Sequence, residues 1–187
     1  MTLVTLKRVV AFACLMVSAS VAPASPPEGI GPQGVMLWES PRDLPELAFE
    51  DGKGEPLTLA DFQGQTVLLN IWATWCGPCR EEMPALDALQ ASLGGKAFEV
   101  VALSIDRRGV EAVQDFYTDV GIEHLRQYID TTGMAGTKLG ALGVPTTLLI
   151  DSRGDEIGRL VGATEWDTPE MTAFLEETIG HSTEVSL

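Results

Sequence analysis

A chain of 187 residues with 12 Lys and Arg against 27 Asp and Glu carries a formal charge of −15. That length suits one well-packed domain, and nothing in the chain suggests a second core of comparable size. So acidic a surface argues against nucleic acid and anionic membranes as partners, and favours basic protein partners or plain solubility.

The first elements concern export. Lys7 and Arg8 precede the apolar stretch 9–17, and Ala22-Pro23-Ala24 supplies the small residues a signal peptidase reads, so residues 1–24 are expected to be a secretory signal. The rival reading is an uncleaved membrane anchor, but residues 9–24 hold two serines and a proline and fall short of the roughly 20 apolar residues of a spanning helix. Cleavage removes Lys7, Arg8 and Cys14, leaving ten basic against 27 acidic residues, a charge of −17. It also leaves Cys76 and Cys79 as the sole thiols, with no other thiol for a structural disulfide or a relay. Ala11-Phe12-Ala13 is a poor match to a lipobox, which argues against lipidation of Cys14.

Residues 25–41 read as a linker or surface arm, because the Pro-, Gly- and Ser-rich composition over 25–45 includes one large aromatic, Trp38. The domain proper is expected over 42–187. Residues 47–59, broken by Asp51-Gly52-Lys53-Gly54, predict a short hairpin, and 60–64 a brief helical turn. The near-continuous apolar run 66–73 predicts a strand covered on both faces. Helix is expected over 76–93, with Met83, Leu86, Leu89 and Leu93 at helical spacing, a kink at Pro84 and an end at Gly94-Gly95. Then come a buried strand over 98–105, an amphipathic helix over 110–120, a short strand over 124–129 and a short helix over 133–142. A strand over 146–150, a turn over 151–155, a strand over 156–161 and a helix from 168 or 169 to 179 close the chain. Strands alternating with helices predict an α/β fold, and the late hairpin makes its sheet mixed.

Chemistry concentrates at Cys76-Gly77-Pro78-Cys79, where a buried strand turns into a helix. Two thiols three residues apart at a helix start face one another across one turn, close enough for a disulfide. The unpaired backbone N–H groups and positive dipole end there stabilise a thiolate on Cys76, which makes Cys76 the expected nucleophile. Cys79, further in, is expected to stay a buried thiol until it resolves a mixed disulfide. Trp72 is expected in the core and Trp75 as a partly exposed contact for substrates.

Three stretches together resemble the thioredoxin superfamily: Trp75-Cys76-Gly77-Pro78-Cys79 after a buried strand, Pro84 five residues beyond the second cysteine, and Gly143-Val144-Pro145-Thr146-Thr147 before a late strand. The runs 69–84 and 143–151, the leader and the helix-plus-strand insertion between 106 and 132 are most similar to the exported TlpA/ResA/CcmG-like thiol:disulfide oxidoreductases, over roughly residues 42–180. The resemblance implies a thioredoxin fold with an N-terminal hairpin extension, dithiol–disulfide exchange with protein substrates, and no tightly bound cofactor. It implies that Pro145 is held in cis beside the dithiol, with Val144 pairing an extended substrate strand through its backbone, so that Trp75, Gly77, Pro78, Val144 and Pro145 form the substrate-binding surface. The expected leader places the protein in the periplasm or another extracytoplasmic compartment, where cytosolic reductants are absent, so electrons are expected to enter through a membrane protein; the resemblance implies apocytochrome c or copper-delivery proteins for oxidase assembly as substrates.

One departure matters. Cytoplasmic thioredoxins carry a buried aspartate six residues before the first cysteine, whereas this chain has Asn70, which cannot take a proton. Glu82, three residues after Cys79, is the candidate proton acceptor, and ResA-like members are thought to use a glutamate there; Arg80, Glu81 and Glu82 read equally as a solvated stripe. Zinc would need two further ligands, and His124 and His181 lack the spacing. Soft thiolates suit Cu(I), yet no Met or His cluster completes a site. His124 reads as a surface residue on the inserted strand and the six methionines as core fillers. The Gly-Pro dipeptide is that of reducing thioredoxins, with potentials near about −270 mV, against about −120 mV for the oxidant DsbA. A disulfide-donating oxidase or isomerase, a peroxidase and a non-enzymatic Cu(I)- or thiol-binding module stay open as alternatives.

Overall fold

A computed structural model describes residues 29–184 of the protein. The leader read over residues 1–24, Cys14 included, lies outside the described residues. The elements run β1 (Gly29–Ile30), β2 (Met36–Arg42), β3 (Ala48–Asp51), β4 (Pro56–Thr58), β5 (Thr66–Trp72), α1 (Gly77–Leu93), β6 (Phe98–Ser104), α2 (Val110–Val120), β7 (Tyr128–Ile129), α3 (Ala135–Lys138), β8 (Thr146–Ile150), β9 (Glu156–Val161) and α4 (Pro169–Glu184). They build one nine-stranded sheet in the order β1-β2-β9-β8-β5-β6-β7-β3-β4. β5, β6 and β7 are parallel and the remaining pairings antiparallel, so the sheet is mixed.

The period-2 alternation of strands divides the interior into two layers. On β5, Leu68 and Trp72 face one layer with Cys79, Met83, Leu86 and Leu89 of α1, Phe116 and Tyr117 of α2, and Met171 and Leu175 of α4. Val67, Leu69 and Ile71 face the other with Leu47, Phe49, Phe62, Tyr128 and Leu139. Asn70 therefore points towards α1, and so does Thr147, its register partner on β8. Each fully buried Leu or Phe stabilises by roughly 1.5–3 kcal/mol, which fixes β5 and α1 as the frame on which the dithiol sits.

Four elements differ from the sequence reading. Where a loose arm is expected, residues 29–42 make two strands; β2 pairs with β9, and a Cβ on Gly158 would come within 2.7 Å of the Met36 carbonyl oxygen, so glycine permits the approach. Trp38 of this segment is covered by Arg42, whose guanidinium carbon lies 3.5 Å from the ring centroid. The strand expected over 124–129 shrinks to Tyr128–Ile129, because the backbone N–H groups of Glu123, His124 and Leu125 bond Asp87 instead of a neighbouring strand. The helix expected over 133–142 is the single turn Ala135–Lys138, closed off by Gly133 and Gly140 in the left-handed region (φ 66° and 65°). α4 runs on to Glu184 rather than ending near Ile179, while α1 holds Pro84 in its interior as the sequence reading expects. Among the described residues no helix is long and apolar enough to cross a membrane.

Candidate active site

The buried strand β5 ends at Trp72, and the turn that follows delivers Cys76 to the N-cap of α1 with an extended backbone (φ −88°, ψ 111°). Its sulfur accepts the backbone N–H of Cys79 at 3.2 Å, one of the donors that a helix start leaves unpaired. Pro78, in the first turn, has no N–H to satisfy. Cys76 and Cys79 are joined as a disulfide with Sγ atoms 2.11 Å apart. Cys76 retains 6 % of its surface and Cys79 none. Attack from outside thus meets Cys76 first, at a position where the helix dipole favours a thiolate.

A second loop closes the site from β8. The Val144–Pro145 peptide bond is cis, as the resemblance implied, and the Val144 carbonyl oxygen lies 3.6 Å from Cys76 Sγ. Gly77 and Pro78 are exposed between the two cysteines, and Trp75 stands 67 % exposed next to Cys76, while Trp72 is wholly buried. The Trp75 turn is pinned from beneath. The Thr74 hydroxyl donates to the carboxylate of Asp106, Arg108 Nη2 donates to Thr74 Oγ1 at 2.9 Å, and Arg80 Nη1 donates to the Thr74 carbonyl at 3.3 Å. Burial pushes the Asp106 carboxyl up, but the Thr74 hydroxyl and the backbone and guanidinium of Arg108 hold it below its usual range.

Behind the dithiol, Glu82 is 3 % exposed, whereas Arg80 and Glu81 face solvent, so the solvated-stripe reading fails for Glu82. Helical geometry places it one turn beyond Cys79 on the buried side of α1. Asn70 Nδ2 donates to its Oε1 at 2.8 Å; Trp166 Nε1 and the Thr164 backbone N–H donate to its Oε2 at 3.0 and 3.2 Å. Burial pushes its carboxyl above the ordinary value, and these three donors pull it back only in part. Asn70 Nδ2 also reaches Thr147 Oγ1 at 2.9 Å, while its Oδ1 is buried without a partner. Asn70 could be singled out in sequence as a polar residue in an apolar run and Glu82 by its spacing from Cys79; Thr147, Thr164 and Trp166 could not, since they arrive from β8 and the segment before α4. Among the described residues no third metal-ligating side chain joins the two cysteines. His124 lies on no strand, its Nδ1 3.1 Å from Asp87.

Residues 40–175 match the Redoxin family. The chain belongs to that family. Within it, the thiol-disulfide oxidoreductase ResA of Bacillus thuringiensis is 33 % identical over 121 residues, covering 65 % of this chain and 69 % of that protein. The thiol:disulfide interchange protein DsbE of Vibrio cholerae is 35 % identical over 116 residues, 60 % of each chain. Among solved structures, a Chlorobium tepidum protein assigned as the thiol:disulfide interchange protein DsbE superposes with a TM-score of 0.63 at 30 % identity, over 78 % of this chain and 98 % of that one. This Redoxin-family chain is therefore a thioredoxin-fold thiol:disulfide oxidoreductase of the ResA/DsbE type.

Proposed function

We propose that the protein is an exported reductase of protein disulfides, with Cys76 as nucleophile, Cys79 as resolving cysteine and Glu82 as proton acceptor. The observation that carries the reading is the Cys76 sulfur capping α1 beside Val144–Pro145, with Cys79 wholly buried behind it. In the reduced protein the Cys76 thiolate attacks one sulfur of a substrate disulfide. A bond forms between Cys76 and that sulfur, and the other substrate sulfur leaves as a thiolate. Cys79 passes its proton towards Glu82 and attacks Cys76, so the second substrate thiolate departs. Two electrons have moved to the substrate, and Cys76–Cys79 is again a disulfide. Extended substrate is gripped by backbone hydrogen bonds at Val144 and by the exposed Trp75, Gly77 and Pro78.

Residues 1–24 act as export leader or anchor ahead of a domain whose sheet already includes β1 and β2, and a membrane protein resupplies the electrons, since cytosolic reductants do not reach an oxidising compartment. The substrates are oxidised cysteines of proteins such as apocytochrome c or those that deliver copper during oxidase assembly. Cys79→Ser in the native compartment accumulates mixed disulfides with substrates, whereas Cys76→Ser traps none; equal yields from both overturn the division of labour. A potential near about −270 mV fits the reductase, and one well above about −200 mV makes the protein a disulfide donor instead.

A further inference from the structure

A groove beside the dithiol shares Trp75 with the substrate-gripping surface, while its remaining residues have no role in the exchange step. Trp75, Ile105, Asp106, Arg107, Arg108 and Gly133 line it, and it encloses about 520 Å³. Topology explains where it lies. The order β8-β5-β6 places Val144–Pro145 before β8, Cys76 after β5 and residues 105–108 after β6 along one edge of the sheet. Neighbouring strands are about 4.8 Å apart and an extended chain advances about 3.3 Å per residue. A segment that crosses Pro145 with its cysteine at Cys76 therefore reaches Arg107 within about three residues.

Charge then selects the segment. The chain as a whole is strongly acidic, yet this corner presents the exposed side chains of Arg80, Arg107 and Arg108. Arg126, Arg153 and Arg159 each sit within 4.0 Å of a carboxylate, whereas Arg107 has no hydrogen bond or ion pair among the described residues. Arg108 is 71 % exposed and 3.5 Å from Asp106. Asp106 itself is buried and already accepts the Thr74 hydroxyl and the Arg108 backbone N–H, so it offers the groove little free acceptor capacity. Trp75 supplies an apolar wall.

We propose that this groove receives the substrate polypeptide next to its reactive cysteine and selects segments bearing Asp or Glu within about three residues of it; the proposal rests on the reductase reading above. Repulsion from the distant acidic surface is screened beyond about 8 Å at physiological ionic strength, while guanidinium and carboxylate meet well inside that range.

The test uses three disulfide-bonded peptides, identical except for Asp, Ser or Lys flanking the cysteines. Each rate of reduction by the full reduced chain is divided by the rate for dithiothreitol with the same peptide, which removes the peptide's own reactivity. The Asp peptide reacts about three- to tenfold faster than the Ser peptide, and the Lys peptide slower by a similar factor. Arg107→Glu inverts that order. Lys96→Glu makes the same change in net charge before the opposite end of β6 and preserves the order. Equal rates for the three peptides while insulin disulfides are still reduced overturn this inference alone, as does an equal effect of Arg107→Glu and Lys96→Glu. Failure to reduce insulin and all three peptides overturns the reductase reading and this inference with it.

Discussion

Helix α1 buries two carboxylates five residues apart and holds them in opposite ways. Glu82 is 3 % and Asp87 8 % exposed, but the Glu82 carboxyl lies deeper, and the two also differ in the donors around them. Burial raises the Glu82 carboxyl more than its two side-chain donors and single backbone N–H lower it. Burial also pushes Asp87 up, but His124 Nδ1 at 3.1 Å and three consecutive backbone N–H groups, from Glu123, His124 and Leu125 at 3.3, 2.7 and 2.9 Å, bring it below its usual value. A carboxylate ringed by main-chain dipoles is committed to its charge and serves as an anchor. One held chiefly by an amide and an indole keeps a higher proton affinity than an ordinary carboxylate, which is what the proposed proton acceptor requires.

The largest effect expected from breaking this contrast lies at the anchor. Asp87→Ala strands three backbone N–H groups in a partly buried loop and destabilises by about 3 kcal/mol in urea unfolding. The pH dependence has a definite sign. Because the folded carboxyl of Asp87 titrates lower than the unfolded one, its stabilisation is complete above the unfolded value near about 3.9 and is lost as pH falls through the folded one. The stability gap between the native chain and Asp87→Asn thus closes on acidification. A gap that stays constant from neutral pH down to about pH 3 contradicts the assignment.

Glu82 has the opposite sign. Its folded carboxyl titrates higher than the unfolded one, so its favourable contribution is present below the unfolded value near about 4.3 and lost as pH rises through the folded value. Glu82→Gln is therefore no less stable than the native chain at neutral pH. The orphaned Asn70 Oδ1 makes this reasonable, because rotation of the Asn70 amide lets that oxygen accept from the new Gln amide. Disulfide exchange nevertheless slows about a hundredfold or more, in the range a lost proton acceptor costs, while the exposed Glu81→Gln changes it less than about twofold. Equal slowing by the two substitutions removes Glu82 from the mechanism.

Local signals account for what was legible in the sequence. The apolar run of β5, the cysteine spacing and the helical stripe of Met83, Leu86 and Leu89 each reflect short-range geometry, and the elements they imply are present. The strands at 29–42 escaped because β2 gains its conformation from pairing with β9, more than a hundred residues away, and not from its own Pro- and Ser-containing composition. The loop at 123–127 escaped for a related reason: a carboxylate on α1 takes the amides that a strand would have offered its neighbour. Glu82 was visible as a candidate, yet its environment was not. Trp166 lies 84 residues further along the chain, and nothing in its local sequence points to a carboxylate.

The smallest effect expected concerns that tryptophan. Trp166→Phe keeps an aromatic ring in the core but removes the indole N–H from Glu82 Oε2, leaving the Thr164 backbone N–H on the same oxygen. One neutral-to-charged hydrogen bond inside the protein is worth about 1.5–3 kcal/mol, so the stability loss stays limited. The informative readout is the pH–rate profile of exchange. With one donor fewer, the anionic form of Glu82 is less favoured, its carboxyl moves further up, and the limb of the profile governed by the proton acceptor shifts to higher pH. Trp72→Phe, a loss of indole N–H elsewhere in the same core layer, where the donor serves the Ala102 carbonyl, leaves the limb in place. A profile unmoved by Trp166→Phe despite lowered stability would reduce the indole to packing, and Glu82 would then owe its raised proton affinity to burial and Asn70 alone.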